Sequence, residues 1–124
     1  MSKVTVLTYT GEEWGAARMA GSEDTTGAYI GWGSGEGTAA KGDTTLFTEE
    51  SEDRVAGTVS LESTGPTAKY QVEGTITADG TKIITNAGNF SASTSGTMIV
   101  HSSFDGIPVD EGDDITFTIS IDPA

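Results

Sequence analysis

Two stretches of this chain alternate apolar and polar residues with a period of two. Lys69 to Thr77 places Tyr70, Val72, Gly74 and Ile76 on one side. Ile115 to Ile121 places Ile115, Phe117, Ile119 and Ile121 on one side, with threonine and serine on the other. A β-strand sends successive side chains to opposite faces, so this pattern buries one face and wets the other. Wound into a helix, the same residues would scatter around the whole circumference and leave no face to pack. Sheets with one dry and one wet face are antiparallel, and two of them stack through their dry faces.

The rest of the chain agrees with that frame. Residues 3–9 are β-branched and aromatic and read as a first strand or an extended arm over residues 1–9. Thr10 with Glu13 fits a capping box at the start of a short helix through Met19, closed by Gly21. Ala28 to Gly33, Arg54 to Leu61, the stretch around Ile83 and Ile84, and Thr97 to Phe104 each have strand character. Between them lie the glycine-rich loop Ser34 to Asp43 and a Thr44–Glu52 segment that is a helical turn or irregular. Ser63-Thr64-Gly65-Pro66 and Asp110 to Asp114 read as loops, and Ala78-Asp79-Gly80-Thr81 as a hairpin turn of the type Asp-Gly favours. Six or seven short strands with Gly and Asp turns predict a mainly β fold. The expected architecture is an antiparallel β-sandwich, jelly-roll or Ig-like, with one short N-terminal helix. At 124 residues and 35% hydrophobic, the chain suits a single domain spanning 1–124 with one modest core.

Charge narrows the partners. Nineteen acidic residues face six basic ones, for a net charge of −13. Nucleic acid and anionic membranes both require clustered Lys and Arg, so neither is an expected partner. No stretch reaches the ~18–20 apolar residues of a membrane helix. The acidic excess fits a protein working at high salt, where the Debye length shrinks to ~3 Å at 1 M and self-repulsion is screened. It also fits an ordinary acidic surface domain.

Chemistry-bearing patterns are sparse. Without cysteine, thiolate catalysis and Cys-ligated metals are excluded, and the single histidine, His101, cannot build a two-histidine zinc motif. His101 has no Gly-x-Ser-x-Gly nucleophile to serve, and reads as a structural or interface residue. Glycines 31, 33, 35 and 37 lack the lysine and Ser/Thr of a phosphate loop. Asp110-Glu111-Gly112-Asp113-Asp114 offers hard oxygens but not the EF-hand spacing, and Glu49 to Asp53 reads as a solvated acidic run. The expectation is a non-enzymatic protein with no cofactor and no metal.

Five residues stand out as contact candidates: Tyr9, Trp14, Tyr29, Trp32 and Arg54. Trp14, Tyr29 and Trp32 suit either core or interface positions, or stacking platforms for sugar rings. Arg54, following four acidic residues, suits either a neighbouring subunit or a local ion pair.

The order of these pieces is familiar. Glu12-Glu13-Trp14-Gly15-Ala16-Ala17 is followed by Tyr29-Ile30-Gly31-Trp32-Gly33-Ser34-Gly35, then Gly42-Asp43-Thr44-Thr45-Leu46, an acidic stretch and Arg54. Tyr70-Gln71-Val72, Gly74-Thr75-Ile76, Ile83 to Phe90, Met98-Ile99-Val100, Phe104, Gly112-Asp113 and an Ile/Phe strand complete it. From about residue 10 onward this ordering resembles small β-sandwich structural proteins of tailed viruses, which decorate capsids or belong to tails and fibres. The resemblance implies no catalytic residues. It implies a virion location, a capsid decoration (cement) role on the major capsid protein, and self-association, with a trimer favoured. The rival expectations are a tail or fibre component and a carbohydrate-binding adhesive module.

Overall fold

The computed structural model describes residues 3–23, 27–62 and 69–121. In chain order these form β1 (Lys3–Leu7), α1 (Tyr9–Ala20), β2 (Tyr29–Gly33), β3 (Val55–Ala56), β4 (Thr58–Glu62), β5 (Lys69–Thr77), β6 (Lys82–Phe90), β7 (Met98–Val109) and β8 (Asp114–Ile121). The fold is mainly β. A five-stranded sheet ordered β1-β7-β6-β2-β3 packs on a three-stranded sheet ordered β4-β5-β8, and every pairing is antiparallel. This is the β-sandwich the alternation predicts.

The core lies between the sheets. Ile30, Trp32 and Ile84 of the large sheet meet Val72 and Ile76 of the small one, with Tyr70, Phe104, Phe117 and Ile119 packed around them. Burying a residue of this size contributes ~1.5–3 kcal/mol. Phe117 sits edge-on to Trp32, with ring centroids 6.4 Å apart. Alternation is kept throughout β8, whose even-numbered residues are exposed and odd-numbered residues half-buried.

The outer face of the large sheet is covered as well. Residues 34–53 cross it as an irregular strap, with no helical turn at 44–52. Leu46 packs there on Phe90 and Met98. Glycines on β2 permit the close approach: a Cβ on Gly33 would lie 2.3 Å from the carbonyl oxygen of Phe47. Buried on both faces, β6 and β7 lose the simple alternation near His101.

Several local expectations are corrected. The helix is capped by Thr8, not Thr10: Thr8 Oγ1 accepts from the Gly11 amide at 2.9 Å. β1 carries Thr8 onto β7, where its amide donates to Ile99 O at 3.0 Å, and that tertiary anchor sets where the helix begins. Gly21 ends the helix in the left-handed region, φ 79°, as expected. Met19, near the end of the helix, is 85% exposed. The strand expected from Arg54 to Leu61 breaks at Gly57, where the chain leaves the large sheet for the small one. Ala78 to Thr81 is not a hairpin, because β5 and β6 belong to different sheets. Its geometry is a corner: Ala78 is buried and exchanges backbone hydrogen bonds with Gly112 and Asp113 across the neighbouring crossing. Asp-Gly chemistry permits a tight turn, but the need to change sheets decides its shape. The expected Ser63–Pro66 turn lies outside the described residues.

Residues 3–7, half of the anticipated arm, pair with β7 of their own sheet from Lys3↔Phe104 to Leu7↔Val100. Residues 3–7 are therefore a first strand of this chain's own sheet, and Tyr9 already belongs to the helix.

Candidate functional site

The small sheet is two strands narrower than the large one. β5 packs over β2 and β3. β8 follows it: Phe117 touches both Trp32 of β2 and Phe104 of β7, each at 6.4 Å between ring centroids. The inner face of β7 and β1 then extends beyond β8 with no described strand above it. A groove of about 470 Å³ results. Thr5, Val100, Ser102 and Phe104 floor it, and the β8 residues from Ile115 to Ser120 form its wall. Phe104, Ile115, Phe117 and Ile119 are only half-buried. Among the described residues β8 is also the last strand of its sheet, so one row of its backbone N–H and C=O groups has no described strand partner.

Two polar clusters hold the surface around the sandwich. In the first, Glu52 is central. Its Oε1 accepts from Trp32 Nε1 at 3.0 Å, and its Oε2 accepts from Lys82 Nζ at 2.7 Å and from the Asp79 amide at 3.0 Å. Lys82 also meets Asp79 at 2.9 Å and Glu50 at 3.2 Å. Burial pushes the Glu52 carboxyl up, but the hydrogen bonds from Lys82, Trp32 and the Asp79 amide outweigh it and hold it at about 2. The bond to Glu52, against the effect of burial, raises the Lys82 ammonium above its ordinary value. This cluster ties the strap to the Ala78–Thr81 corner.

The second cluster pins the strap to β6 and β7. Asn86 donates from Nδ2 to Phe47 O at 3.1 Å and accepts at Oδ1 from the Phe47 amide at 3.0 Å, which fixes the amide's orientation. Oδ1 therefore faces His101 Nε2, 3.0 Å away, as an acceptor, and Nε2 carries a hydrogen. His101 Nδ1 lies 2.7 Å from Asp43 Oδ2, which also accepts from the Ala40 amide at 2.8 Å. Phe47 stacks edge-on over the imidazole at 4.7 Å. His101 is structural, as one of its two sequence readings has it.

The five contact candidates scatter. Trp32 is 1% exposed and belongs to the core, so it offers no surface to a partner or a sugar. Tyr29 is half-buried against the Leu46–Phe90–Met98 cluster. Trp14 is half-buried and meets Tyr70 edge-on at 6.3 Å. Tyr9 is 58% exposed, with the Lys41 ammonium 5.4 Å from its ring. The guanidinium of Arg54 grips Glu49 through two bonds, of 2.9 and 3.1 Å. It also donates to the carbonyls of Ala92 and Ser95 and lies 3.5 Å from the centre of the Phe90 ring. Its side chain is used within this chain, clasping the acidic segment to the β6–β7 connection, which is the local-pair reading carried further.

Sequence reasoning missed the groove. The signal that points to it is Ile115–Ile121, seven consecutive uncharged residues in a strand with no proline or glycine. Two carboxylates of the acidic loop expected at Asp110–Asp114 are used internally: Asp113 accepts from the Asp110 amide, and Asp110 accepts from Thr81. Among the described residues, no group of three or more His, Asp or Glu is placed to hold a metal ion. Comparison with protein-family models, with curated proteins and with solved structures gave no match.

Proposed function

We propose that this protein is a structural component of a virus particle, a capsid decoration (cement) protein that binds the major capsid protein and acts by adhesion, without turnover. The observation that carries the reading is the inter-sheet groove beside the unpaired edge of β8. An apolar trough next to free backbone groups is a surface for holding another polypeptide. The ordering of sequence pieces that resembles tailed-virus β-sandwich proteins supports the same reading. Self-association, with a trimer as the favoured state, belongs to this proposal. So does a halophilic setting, which the net charge of −13 supports.

Quantitative peptide mass spectrometry of purified particles, scaled to the major capsid protein, tests it. Copy numbers comparable to the shell protein are expected. A few copies would move the protein to a tail or vertex, and none would remove the virion reading. Native mass spectrometry of the isolated protein checks the trimer.

A further inference from the structure

We infer that the groove is a slot for one extended strand of another polypeptide, which pairs with the free edge of β8 and lies over β7 and β1. The inference deepens the reading above and rests on it for the role of the groove, while its own test needs no virus particle.

Three observations converge. First, the sheets are unequal, five strands against three, and the uncovered strip lies on the side where β8 ends the small sheet. Adjacent strands lie ~4.8 Å apart, so the next position beside β8 is directly above the β7–β1 shelf. Second, β8 is an inviting edge. It pairs with β5 in unbroken register from Tyr70↔Ile121 to Thr77↔Asp114, with no bulge to twist it away. Edges that must stay free commonly carry a lysine, a proline or a bulge; Ile115 to Ile121 carries none of these. Third, the half-buried Ile115, Phe117 and Ile119 face the slot with Phe104, so an entering strand with apolar side chains at alternate positions completes a partly wet core.

A second whole copy is the wrong occupant. Joining two β8 edges antiparallel, about a two-fold axis, would set the second copy's large sheet in the space that the β7–β1 shelf already fills. A single extended segment has no such conflict. Charge selects its chemistry. The chain carries −13 overall, and exposed aspartates adjoin the lining residues: Asp105 follows Phe104, and Asp114 precedes Ile115. Lys3 is the one cation among the groove's described lining residues. The entering strand is therefore apolar at alternate positions and basic at its flanks.

The test is amide hydrogen exchange by NMR on the intact protein at low salt. The probes are synthetic peptides with Val, Ile or Phe alternating with Thr, flanked by Lys-Lys at both ends, and a Glu-Glu-flanked control. The Lys-flanked peptides should slow exchange at β8 amides between residues 115 and 121 by about tenfold or more, saturably, and leave β4, the opposite edge of the same sheet, unchanged. The Glu-flanked control should do so weakly. Thr5→Trp places a large ring on an exposed position of the groove floor; it should abolish the protection at an unchanged melting temperature. Three results would each overturn the slot: β8 amides unaffected by every Lys-flanked peptide, equal protection of β4, or concentration-dependent β8 protection without peptide, which would make a second copy the occupant. Strand capture by a protein absent from particles would remove the virion role alone. Abundant copies on particles without strand capture would remove the slot alone.

Discussion

Replacing Glu52 by Gln tests the electrostatics of the strap directly. The Glu52 carboxyl titrates at about 2 in the folded chain against 4.5 for the free group. At ~1.36 kcal/mol per unit that difference is worth ~3.4 kcal/mol. Solvent reaches the cluster through Asp79, whose side chain is 57% exposed, so we expect about 2 kcal/mol in practice. The sign follows from the lowered value. The stabilisation is fully present above pH 4.5, where the carboxylate is ionised in both states. It is lost as pH falls from 4.5 to about 2, where the unfolded chain binds the proton first. Urea denaturation of wild type and Glu52→Gln, run in parallel from pH 7 to pH 2, measures it. Comparing the two proteins at each pH cancels the general relief of self-repulsion as the other carboxylates protonate. The gap should be about 2 kcal/mol from pH 7 to pH 5 and should close toward zero by pH 2. A gap that stays constant across that range refutes the reasoning, because the loss would then come from packing rather than from the ionised carboxylate.

Other expectations follow from the same contacts. His101→Phe keeps a ring under Phe47 but removes one hydrogen-bond partner from Asn86 and one from Asp43, and should cost about 2–3 kcal/mol while speeding amide exchange at residues 40–47; unchanged exchange there would show that the strap is held otherwise. Gly11→Ala puts a methyl 2.2 Å from Ile99 O, so the helix must shift off β7 although alanine favours helices; a stabilised variant by thermal melting would contradict the packing described. Added NaCl up to molar concentrations should raise the melting temperature by screening the net charge of −13, and a steady fall would remove the halophilic setting. Tyr70→Phe deletes the 2.6 Å hydrogen bond to Gly27 O and should lower stability by about 1 kcal/mol in the same urea assay; no change would mean that water replaces the hydroxyl.

Alternation at Tyr70–Ile76 and Ile115–Ile121 was sufficient, as sequence, to determine a half-buried antiparallel sheet, because a period of two has only one way to bury a face. Gly21 as a helix end and the acidic surface were legible for equally local reasons: left-handed backbone and net charge belong to single residues. Tertiary structure decided the rest. Thr8, not Thr10, caps the helix because β7 holds the backbone of Thr8. Asp79-Gly80 makes a corner because its two strands lie in different sheets. Trp32 is core, not surface, because it lies between the two sheets and Glu52, twenty residues on, returns to accept from its indole. His101 and Asn86 meet only because the strap crosses the outer face of the large sheet, an encounter of residues far apart in the chain. The groove is likewise an outcome of count and stacking. Strand patterning says which face of β8 is apolar, but only the packing of a five-stranded sheet against a three-stranded one leaves that face half uncovered.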